Sequence, residues 1–236
     1  MFKNLKKFKD KMSFQPHGLF LVHPFYFSRR NLFKFYKKYS SKLSGNLIDI
    51  GCGNKPYKNF FKHCKSYVGL EIESDNAKNS ADFVYDGKKF PFDDEIFDSA
   101  ICSEVLEHVF EPNIFLRQIN RVLKKNGLII LTLPFFWDEH EQPYDYARYT
   151  SFGLRYILEK ENFEIIEQVK IGNNLSIIAQ LINCYIYKKL YENKNFFLKS
   201  LSLIFFTFFN LIGIIISIFP KNNDMYLDNL VVAKKK

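Results

Sequence analysis

The chain has few of the residues that characterise fibrous or disulfide-stabilised proteins. Its 236 residues include only 10 glycines, 8 prolines and 4 cysteines, which excludes a collagen-like repeat and a disulfide scaffold. The cysteines form no C-x-x-C pair and have no zinc-site spacing with histidine, so a reduced cytoplasmic compartment is expected. No apolar run follows the charged residues 1–12, so no secretory signal is predicted. The apolar content of 47% excludes intrinsic disorder.

The net charge of +9 is concentrated at the start of the sequence. Residues 1–42 contain eleven basic residues and one acidic residue, so this arm carries +10, and the rest of the sequence is nearly neutral. The cations interleave with apolar residues at helix-like spacing, which suits an anionic membrane surface or a polyanionic acceptor. A helix that covers the core and exposes a charged outer face is an equal alternative. The apolar residues are Phe2, Leu5, Phe8, Leu32, Phe33 and Phe35.

Short apolar runs alternate with helix-like segments after residue 42, which is typical of a parallel sheet flanked by helices. The clearest helix is predicted at residues 112–125, with Pro112 in its first turn and Gly127 after its end. Thr150 is expected to cap a helix that runs through Glu159. The predicted strands are residues 46–50, 67–72, 82–86, 97–102, 127–133, 163–169 and 229–233.

Two uncharged runs precede the last predicted strand. Residues 171–187 and 200–220 carry no charge, and a basic connector, residues 188–199, joins them. The second run is long enough and apolar enough to span a bilayer. A single pass is excluded because the strands on both sides must join one sheet. A monotopic or re-entrant insertion in the cytoplasmic leaflet is therefore favoured, with a two-pass hairpin and a buried helical cap as alternatives.

A glycine-containing turn follows the first predicted strand. Residues 49–54 read D-I-G-C-G-N, and glycines two positions apart let the backbone bend sharply and approach a ligand. The following helix start offers free N–H groups to an anionic group. Glu71 lies 18 residues after Gly53 at a strand end, where a carboxylate can accept both hydroxyls of a ribose. The pattern fits any nucleotide-containing cofactor.

Other motifs narrow the choice of cofactor. Pro56 stands where the G-x-G-x-x-G of nicotinamide-binding proteins has its third glycine, whereas D-x-G-x-G resembles motif I of the class I S-adenosylmethionine-dependent methyltransferases. The order and spacing of several segments between residues 46 and 166 are similar to the type 11 methyltransferase domain. The segments are Y-D-G at 85–87, F-P-F at 90–92, S-E-V-L-E-H-V at 103–109 and R-V-L-K at 121–124.

The resemblance implies an α/β, Rossmann-like sheet of seven strands, parallel except for the last, and S-adenosylmethionine as the cofactor. It implies that Asp49 and the glycines hold the methionine portion, Glu71 the ribose and Asp86 the adenine amino group. Lys55 replaces the third glycine of G-x-G-x-G and is expected to meet the cofactor's carboxylate. The predicted cofactor-binding residues are Asp49, Gly51, Cys52, Gly53, Lys55, Glu71, Asp86, Gly87, Cys102 and Ser103, the last two on the adenosine side.

A hydroxyl acceptor needs a base, because the methyl donor is already activated and the enzyme mainly aligns the acceptor. The candidates for the base are His108, His140, Glu104 and Glu107, of which His140, His108 and Glu104 are predicted as catalytic residues. Residues 140–150 resemble the P-x-D-Y-x-R-Y-T segment of type 11 enzymes, and His140 is the first choice for the acceptor side. Asp145 and Arg148 are predicted to line the acceptor, and a structural ion pair between them is an equal alternative.

The E-x-x-E-H pattern of residues 104–108 also resembles the divalent-metal cluster of small-RNA 2′-O-methyltransferases and of ubiquinone-pathway O-methyltransferases. With His140, it could supply two oxygens and two nitrogens to one ion. No metal is assigned, because most type 11 proteins with E-V-L-E-H-V are not known to need one.

Together these features predict a methyltransferase at the cytoplasmic face of a membrane, acting on a hydroxyl of a lipid-linked saccharide or another membrane-borne small acceptor. An anionic membrane surface is the expected partner, and nucleic acid is not. The alternatives are a nucleic-acid methyltransferase and an inactive, membrane-associated cofactor-binding protein. The predicted parts are a basic arm or lid at 1–42, the cofactor-binding domain at 43–170 with 225–236, and a hydrophobic, membrane-associated insertion at 171–224.

Overall fold

A computed structural model describes residues 20–74, 77–193 and 195–236. The chain divides into two compact units, which we call the helical unit and the sheet unit. The helical unit contains residues 1–35, of which 20–35 are described, with Phe136–Asp138 and Ile171–Leu227. The sheet unit contains Tyr36–Phe135, Glu139–Lys170 and Asp228–Lys236. The functional division into an arm, a cofactor-binding domain and an insertion stays a prediction.

One seven-stranded sheet organises the sheet unit, in the order β3-β2-β1-β4-β5-β7-β6. The pairs β1–β2, β1–β4, β2–β3 and β4–β5 are parallel, and β5–β7 is antiparallel. The sequence-based prediction of a mixed sheet with an antiparallel last strand is therefore confirmed. The strands are β1 Asn46–Ile50, β2 Ser66–Ile72, β3 Phe83–Tyr85, β4 Phe97–Ser103, β5 Leu123–Pro134, β6 Phe163–Ile171 and β7 Asp228–Lys235.

Six α-helices lie within the described residues, and 3-10 turns occur between them. Thr150 caps one helix as predicted, since its side chain accepts a hydrogen bond from the Gly153 N–H at 3.1 Å. The helices are α1 Tyr26–Tyr39, α2 Ala77–Ser80, α3 Pro112–Val122, α4 Ser151–Lys160, α5 Ser176–Ile186 and α6 Phe196–Ile216. A π-helical turn, Tyr187–Tyr191, follows α5.

The central strands are apolar on both faces, as parallel strands between helices should be. In β1, the side chains of Leu47, Ile48 and Ile50 are fully buried. The antiparallel partner β7 is buried in the same way from Asp228 to Ala233. This continuous burial fixes the register of the sheet, and with it the position at which each strand ends.

The prediction for the end of α3 is wrong. The helix ends at Val122, not at Lys125, and β5 begins at the next residue, where Leu123 pairs with Phe97 of β4. The last carbonyls of the helix, at Arg121 and Val122, accept hydrogen bonds from the backbone of residues 95–96 at 3.0 Å. Tertiary pairing of the backbone thus overrides the helical preference of residues 123–125.

Buried amides join the elements of the helical unit. Asn183 of α5 donates to Asn210 Oδ1 of α6 at 2.9 Å, and Asn210 donates to the carbonyls of Leu21 and His23 at 2.8 and 2.9 Å. Gln180 Oε1 accepts a hydrogen bond from the Phe27 N–H at 3.0 Å. Such connected polar groups specify one arrangement of the helices, because leaving any of them unpaired is costly.

The two ends of the long segment between β6 and β7 lie side by side and are joined by hydrogen bonds. Leu227 N donates to Ile171 O at 3.0 Å, and Asn222 N donates to Asn173 O at 2.8 Å. We call this pair of hydrogen bonds the neck of the insertion. Gly172 lies there with φ +67°, and a Cβ at this position would meet Leu227 at 2.8 Å.

One described helix, α6, is long and apolar enough to cross a membrane, and 22% of its most apolar window is buried. The predicted uncharged run at 200–220 falls largely on this helix. In the N-terminal arm, α1 buries Phe27 and Leu32 and exposes Arg30 and Lys34. The predicted arm residues before Phe20 lie outside the described residues.

Replacing Gly213 of α6 tests the packing of the helical unit. A Cβ there would lie 2.4 Å from the Phe27 ring and 2.8 Å from Ala179 Cβ, so we expect Gly213→Ala to lower the free energy of unfolding by about 1–3 kcal/mol. Gly153→Ala is the matched control, since its Cβ would meet only Thr150 Oγ1 at 3.5 Å. Urea unfolding followed by circular dichroism measures both. Equal stability of the two variants would contradict this packing.

Candidate active site

The carboxyl ends of β1 and β4 lie side by side, because Ile50 is opposite Cys102 in the parallel register. The glycine turn begins immediately after Ile50, and both of its glycines have positive φ, +69° at Gly51 and +47° at Gly53. A Cβ on Gly51 would lie 2.2 Å from a methyl carbon of Val105. Gly51 is therefore required both by its backbone conformation and by close packing.

Gly53 faces open space, since a Cβ placed on it would meet nothing within 4 Å. Its N–H donates to Glu71 Oε2 at 2.8 Å. The other Glu71 oxygen accepts a hydrogen bond from the Ile72 N–H at 3.0 Å. A carboxylate oxygen can accept a second hydrogen bond, so Glu71 is held at the turn and still has acceptor sites for hydroxyl groups.

Asp49 is a buried carboxyl group in β1, 3% exposed. Its pKa is raised to about 7, mainly by burial and in smaller part by the charge of Glu71. The hydrogen bond that the Tyr67 hydroxyl donates to Asp49 acts in the opposite direction. Burial also raises the pKa of the Tyr67 hydroxyl, and the negative charge of Asp49 adds to that shift. The charge of Asp49 therefore responds to whatever cation reaches this end of the turn.

Lys55, which is expected to meet the cofactor's carboxylate, forms an ion pair with another residue of the chain in this structure. Its Nζ pairs with Asp82 Oδ1 at 2.7 Å, and its stem crosses Gly69, where a Cβ would lie 2.4 Å from Lys55 Cε. The second Asp82 oxygen accepts the Gly69 N–H at 2.7 Å. Although burial raises the pKa of Asp82, these bonds to Lys55 and Gly69 lower it overall. The compensating charge is thus already paired within the chain.

The residues predicted on the adenosine side occupy different environments. Asp86 follows β3, is exposed, and its Oδ1 accepts the N–H groups of Lys88 and Lys89 at 3.0 and 3.4 Å. These two bonds lower the pKa of its carboxyl group. Gly87 beside it has φ +84°. The carboxylate therefore stays ionised and available at the surface.

Cys102 and Ser103, which are predicted to line the adenosine side, differ in exposure. The thiol is fully buried in the core of the sheet unit, and burial raises its pKa well above the usual range. Ser103, the next residue, is partly exposed, and its hydroxyl is 3.0 Å from the Thr132 hydroxyl. Successive residues of a strand point to opposite faces, which explains why only one of the two can reach the edge.

The segment after β4 carries Glu104 and Glu107. Glu104 has φ +55°, and its N–H donates to Thr132 O at 2.9 Å. Glu107 lies in a 3-10 turn, Leu106–His108, and its carboxyl group is fully buried. Burial raises the pKa of Glu107 well above its usual range, and the charge of Glu104 raises it further.

Two histidines converge on Glu107. His108 Nε2 is 3.8 Å from Glu107 Oε1, and His140 Nε2 is 3.9 Å from the same oxygen. The two imidazole rings are 4.7 Å apart between centroids, edge to face. The loop that carries His140 is held in place because Tyr146 N donates to the Glu107 carbonyl at 2.8 Å. The structure therefore brings His108 and His140 together around Glu107, which the sequence also suggested as a candidate base and as part of a possible metal cluster.

Asp145 and Arg148 form a two-pronged ion pair with distances of 2.5 and 2.6 Å. Asp145 also lies 3.2 Å from His140 Nδ1 and accepts the His140 N–H at 2.9 Å. Burial raises the pKa of Asp145, but Arg148 and the His140 N–H lower it to about 2 overall. Asp145 is 3% exposed, so it orients His140, and the structural ion pair weighed from the sequence is present.

Sequence reasoning missed Tyr67 and Asp82. Tyr67 and Glu71 lie four residues apart on one strand and so share a face of β2. Gly69 between them pairs with Asp49 in the parallel register. Because alternate residues of β2 lie on the same face, the sequence could have indicated that Tyr67 lies near Asp49 and Glu71. No comparable signal indicated Asp82, whose role depends on the path of the Lys55 side chain.

Part of the chain is similar to known proteins. Residues 48–131 match the family model described as a methyltransferase domain. The chain is 25% identical over 146 residues to the uncharacterized protein MJ1123 of Methanocaldococcus jannaschii, across 58% of this chain and 68% of that protein.

Solved structures share the fold. The [4+2]-cyclase SpnF superposes with a TM-score of 0.59 at 17% identity, over 86% of this chain and 80% of its own. A complex of phosphoethanolamine N-methyltransferase 2 from Haemonchus contortus with S-adenosyl-L-methionine superposes with a TM-score of 0.55 at 17% identity, over 86% of this chain and 51% of its own. At such identities the likeness concerns the fold.

The raised pKa of Asp49 predicts a pH dependence of stability. The folded chain holds this proton until about pH 7, whereas an unfolded aspartate loses it near pH 4. Without cofactor, the free energy of unfolding should therefore fall by a few kcal/mol between about pH 4 and pH 7, and Asp49→Asn should remove that part of the fall. Urea unfolding at several pH values measures it. Parallel curves for the two proteins would contradict the raised pKa.

Proposed function

We propose, from the premise that the chain is a class I S-adenosylmethionine-dependent methyltransferase, that it methylates a hydroxyl group of a small, membrane-borne acceptor such as a lipid-linked saccharide. The family, the fold and the cofactor are those predicted from the sequence. The acceptor class rests on one observation, the apolar outer face of α6, and the sites of cofactor and acceptor rest on the geometry at the ends of β1 and β4.

The residues at the glycine turn fit S-adenosylmethionine. Open space over Gly53 admits a ligand close to the backbone, and Glu71 beside it can accept the ribose hydroxyls. Asp49 supplies a carboxylate for the ammonium group of the methionine portion, which would hold it in its charged form. Asp86 is an exposed, ionised acceptor for the adenine amino group. Lys55 contributes its backbone to the turn, since its ammonium is paired with Asp82.

The cofactor supplies an activated methyl group when bound, so the protein has to align the acceptor, exclude water and assist loss of the hydroxyl proton. The cluster at His108 and His140 is the part of the edge that is suited to this last task. Asp145 orients the His140 ring through Nδ1 at 3.2 Å. In the absence of any other group at the cluster, His140 Nε2 accepts the hydroxyl proton.

The outer face of α6 supports a membrane-borne acceptor. The residues that α6 buries include Ser202 and Asn210, whereas its exposed positions carry large apolar side chains. This is the reverse of the pattern in a helix that packs on a soluble core and turns its polar face to water. An exposed apolar surface of this size is typical of a site of lipid or protein contact. The exposed residues are Leu203, Ile204, Phe205, Phe208, Leu211 and Ile215, followed by Ile218 and Phe219.

A helix with one buried face and one apolar exposed face suits insertion into a single leaflet. Lys199 near its start is exposed, and the π-helical turn before it carries Lys188 and Lys189. Cations at this position favour an anionic headgroup region. We therefore place the enzyme at the cytoplasmic face, with α6 lying in the leaflet and a two-pass hairpin as the alternative.

Replacing Glu71 tests the cofactor site and the reaction together. We expect Glu71→Ala to weaken S-adenosylmethionine binding at least about tenfold, because a hydrogen bond to a charged group contributes about 1.5–3 kcal/mol. Calorimetric titration measures the affinity, and transfer of labelled methyl into the lipid fraction of a membrane extract measures the reaction. Glu73→Ala is the control, since Glu73 forms an exposed ion pair with Lys78.

Wild-type protein should label lipids, Glu71→Ala should lose both binding and labelling, and Glu73→Ala should keep both. Label that enters only nucleic acid or water-soluble compounds would contradict the acceptor class while leaving the cofactor site intact. No binding by folded wild-type protein would favour a degenerate cofactor site.

The outer face of α6 can be tested separately by flotation with anionic phosphatidylglycerol vesicles. We expect the triple variant Ile204→Ser, Phe208→Ser and Ile215→Ser to bind vesicles at least about tenfold more weakly, because each buried apolar side chain contributes about 1.5–3 kcal/mol. The control changes three exposed aromatics of the sheet unit to serine. They are Phe110, Phe152 and Tyr156, each at least 67% exposed. Equal loss in both triple variants would contradict a specific role for α6.

A further inference from the structure

Glu107, His108 and His140 place one potential ligand atom each within 4.8 Å of one another. The two imidazole Nε2 atoms approach the same carboxylate oxygen, at 3.8 and 3.9 Å. Two ligands of a tetrahedral zinc ion are about 3.3 Å apart, given bond lengths near 2.0–2.1 Å. The two distances to the carboxylate oxygen would therefore need to contract by about half an ångström, and the third distance, which is at most 4.8 Å, by up to about 1.5 Å.

The tautomer of His108 is set by the backbone. Its Nδ1 lies 2.8 Å from the carbonyl oxygen of Tyr144. A carbonyl oxygen only accepts, so Nδ1 must carry a proton, and in the neutral ring Nε2 carries the lone pair. The lone pair is thus fixed on the atom nearest Glu107. A hydrogen bond from the other ring nitrogen to a backbone carbonyl is the usual second-shell support of a metal-binding histidine.

His140 has the corresponding support from a carboxylate. Its Nδ1 is 3.2 Å from Asp145 Oδ2 and 3.4 Å from Arg148 Nη2. The guanidinium donates to both Asp145 oxygens and so holds the carboxylate beside Nδ1. In the neutral ring with its proton on Nδ1, the carboxylate accepts a hydrogen bond from that nitrogen. Nε2 then carries the lone pair and faces Glu107. This arrangement is the carboxylate–histidine pair that orients metal ligands and raises their basicity.

Glu107 provides an observation that does not depend on the histidines. Its side chain is 0% exposed, and within the part of the chain that the structure describes neither of its oxygens accepts a hydrogen bond. A buried carboxyl group is costly unless it is hydrogen-bonded, paired with a charge or bound to a metal. Two imidazole Nε2 atoms lie 3.8 and 3.9 Å from Glu107 Oε1, and in the neutral tautomers described above they present lone pairs to it.

We propose that Glu107, His108 and His140 bind one divalent first-row transition-metal ion. Two imidazole nitrogens and one carboxylate oxygen suit zinc, iron, cobalt or manganese better than magnesium or calcium, which prefer oxygen ligands alone. Three protein ligands leave at least one coordination position open, as in catalytic metal sites.

The role of the ion rests on the proposed function. The hydroxyl oxygen of the acceptor takes an open position on the ion and becomes more acidic there, which eases loss of its proton to solvent as the methyl group is transferred. When the ion is bound, His140 Nε2 binds the metal and does not accept the hydroxyl proton. The ion then activates the hydroxyl in place of His140.

Cobalt provides a test that does not depend on activity, because its visible absorption reports the ligands around it. The purified full-length chain, freed of metal by chelation, is titrated with Co²⁺ and, by calorimetry, with Zn²⁺. We expect one ion per chain. Glu107→Gln and His140→Ala should each weaken metal binding at least about tenfold, because loss even of a residue that only supports a metal ligand lowers metal affinity by about 10–100-fold. His63→Ala is the matched histidine control, because its ring contacts the Leu43 carbonyl instead, and it should bind as wild type.

Cofactor affinity measured on the same proteins shows that the variants are folded. Absence of Co²⁺ and Zn²⁺ binding by wild type, or equal binding by wild type and the cluster variants, would overturn the proposal and leave Glu107 as a buried neutral acid. Methyl transfer to lipid that persists in a protein binding no ion would also overturn it, without affecting the proposed function. Ion binding without methylation of lipid would instead contradict only the acceptor class.

Discussion

The parallel pairing of β1 with β4 is the constraint on which the rest of the site depends. Because Ile50 lies opposite Cys102, the glycine turn and the segment that carries Glu107 leave the sheet side by side. The contact between Gly51 and Val105 exists only in this register. A shift of one residue would turn every side chain of β1 to the other face, so the apolar packing of the strand also positions the polar chemistry at its end.

Two buried carboxyl groups follow from this arrangement, and their surroundings differ. Asp49 receives a hydrogen bond from Tyr67, whereas Glu107 accepts none within the described residues and is faced by two imidazoles. Each is more costly to bury than an apolar residue would be. The apolar burial of the central strands can offset this loss of folding stability. Buried carboxyl groups that lower stability are characteristic of sites that act on a ligand.

The sequence predicted the elements that depend on local patterns. Strand β1 and the Thr150 cap were located to the residue, because alternation, apolar runs and capping side chains act over a few positions. The end of α3 was predicted incorrectly, and the pairing of Lys55 with Asp82 and the core position of Cys102 were not predicted. Each depends on a partner 25 or more residues away or on which face of the sheet a side chain occupies. The sequence suggested that Glu107, His108 and His140 could act together, because they follow neighbouring strands, but the distances between them required coordinates.

The neck of the insertion has a consequence for how this architecture can vary. The chain leaves β6 and returns to β7 through residues that are hydrogen-bonded to each other, Ile171 with Leu227 and Asn173 with Asn222. The cost of closing a loop depends only weakly on its length, so the segment beyond this neck can lengthen, shorten or be exchanged while the strand order stays the same. The sheet and the helices beyond the neck can therefore diverge at separate rates, and the helices can change without a change in the residues at the sheet's edge.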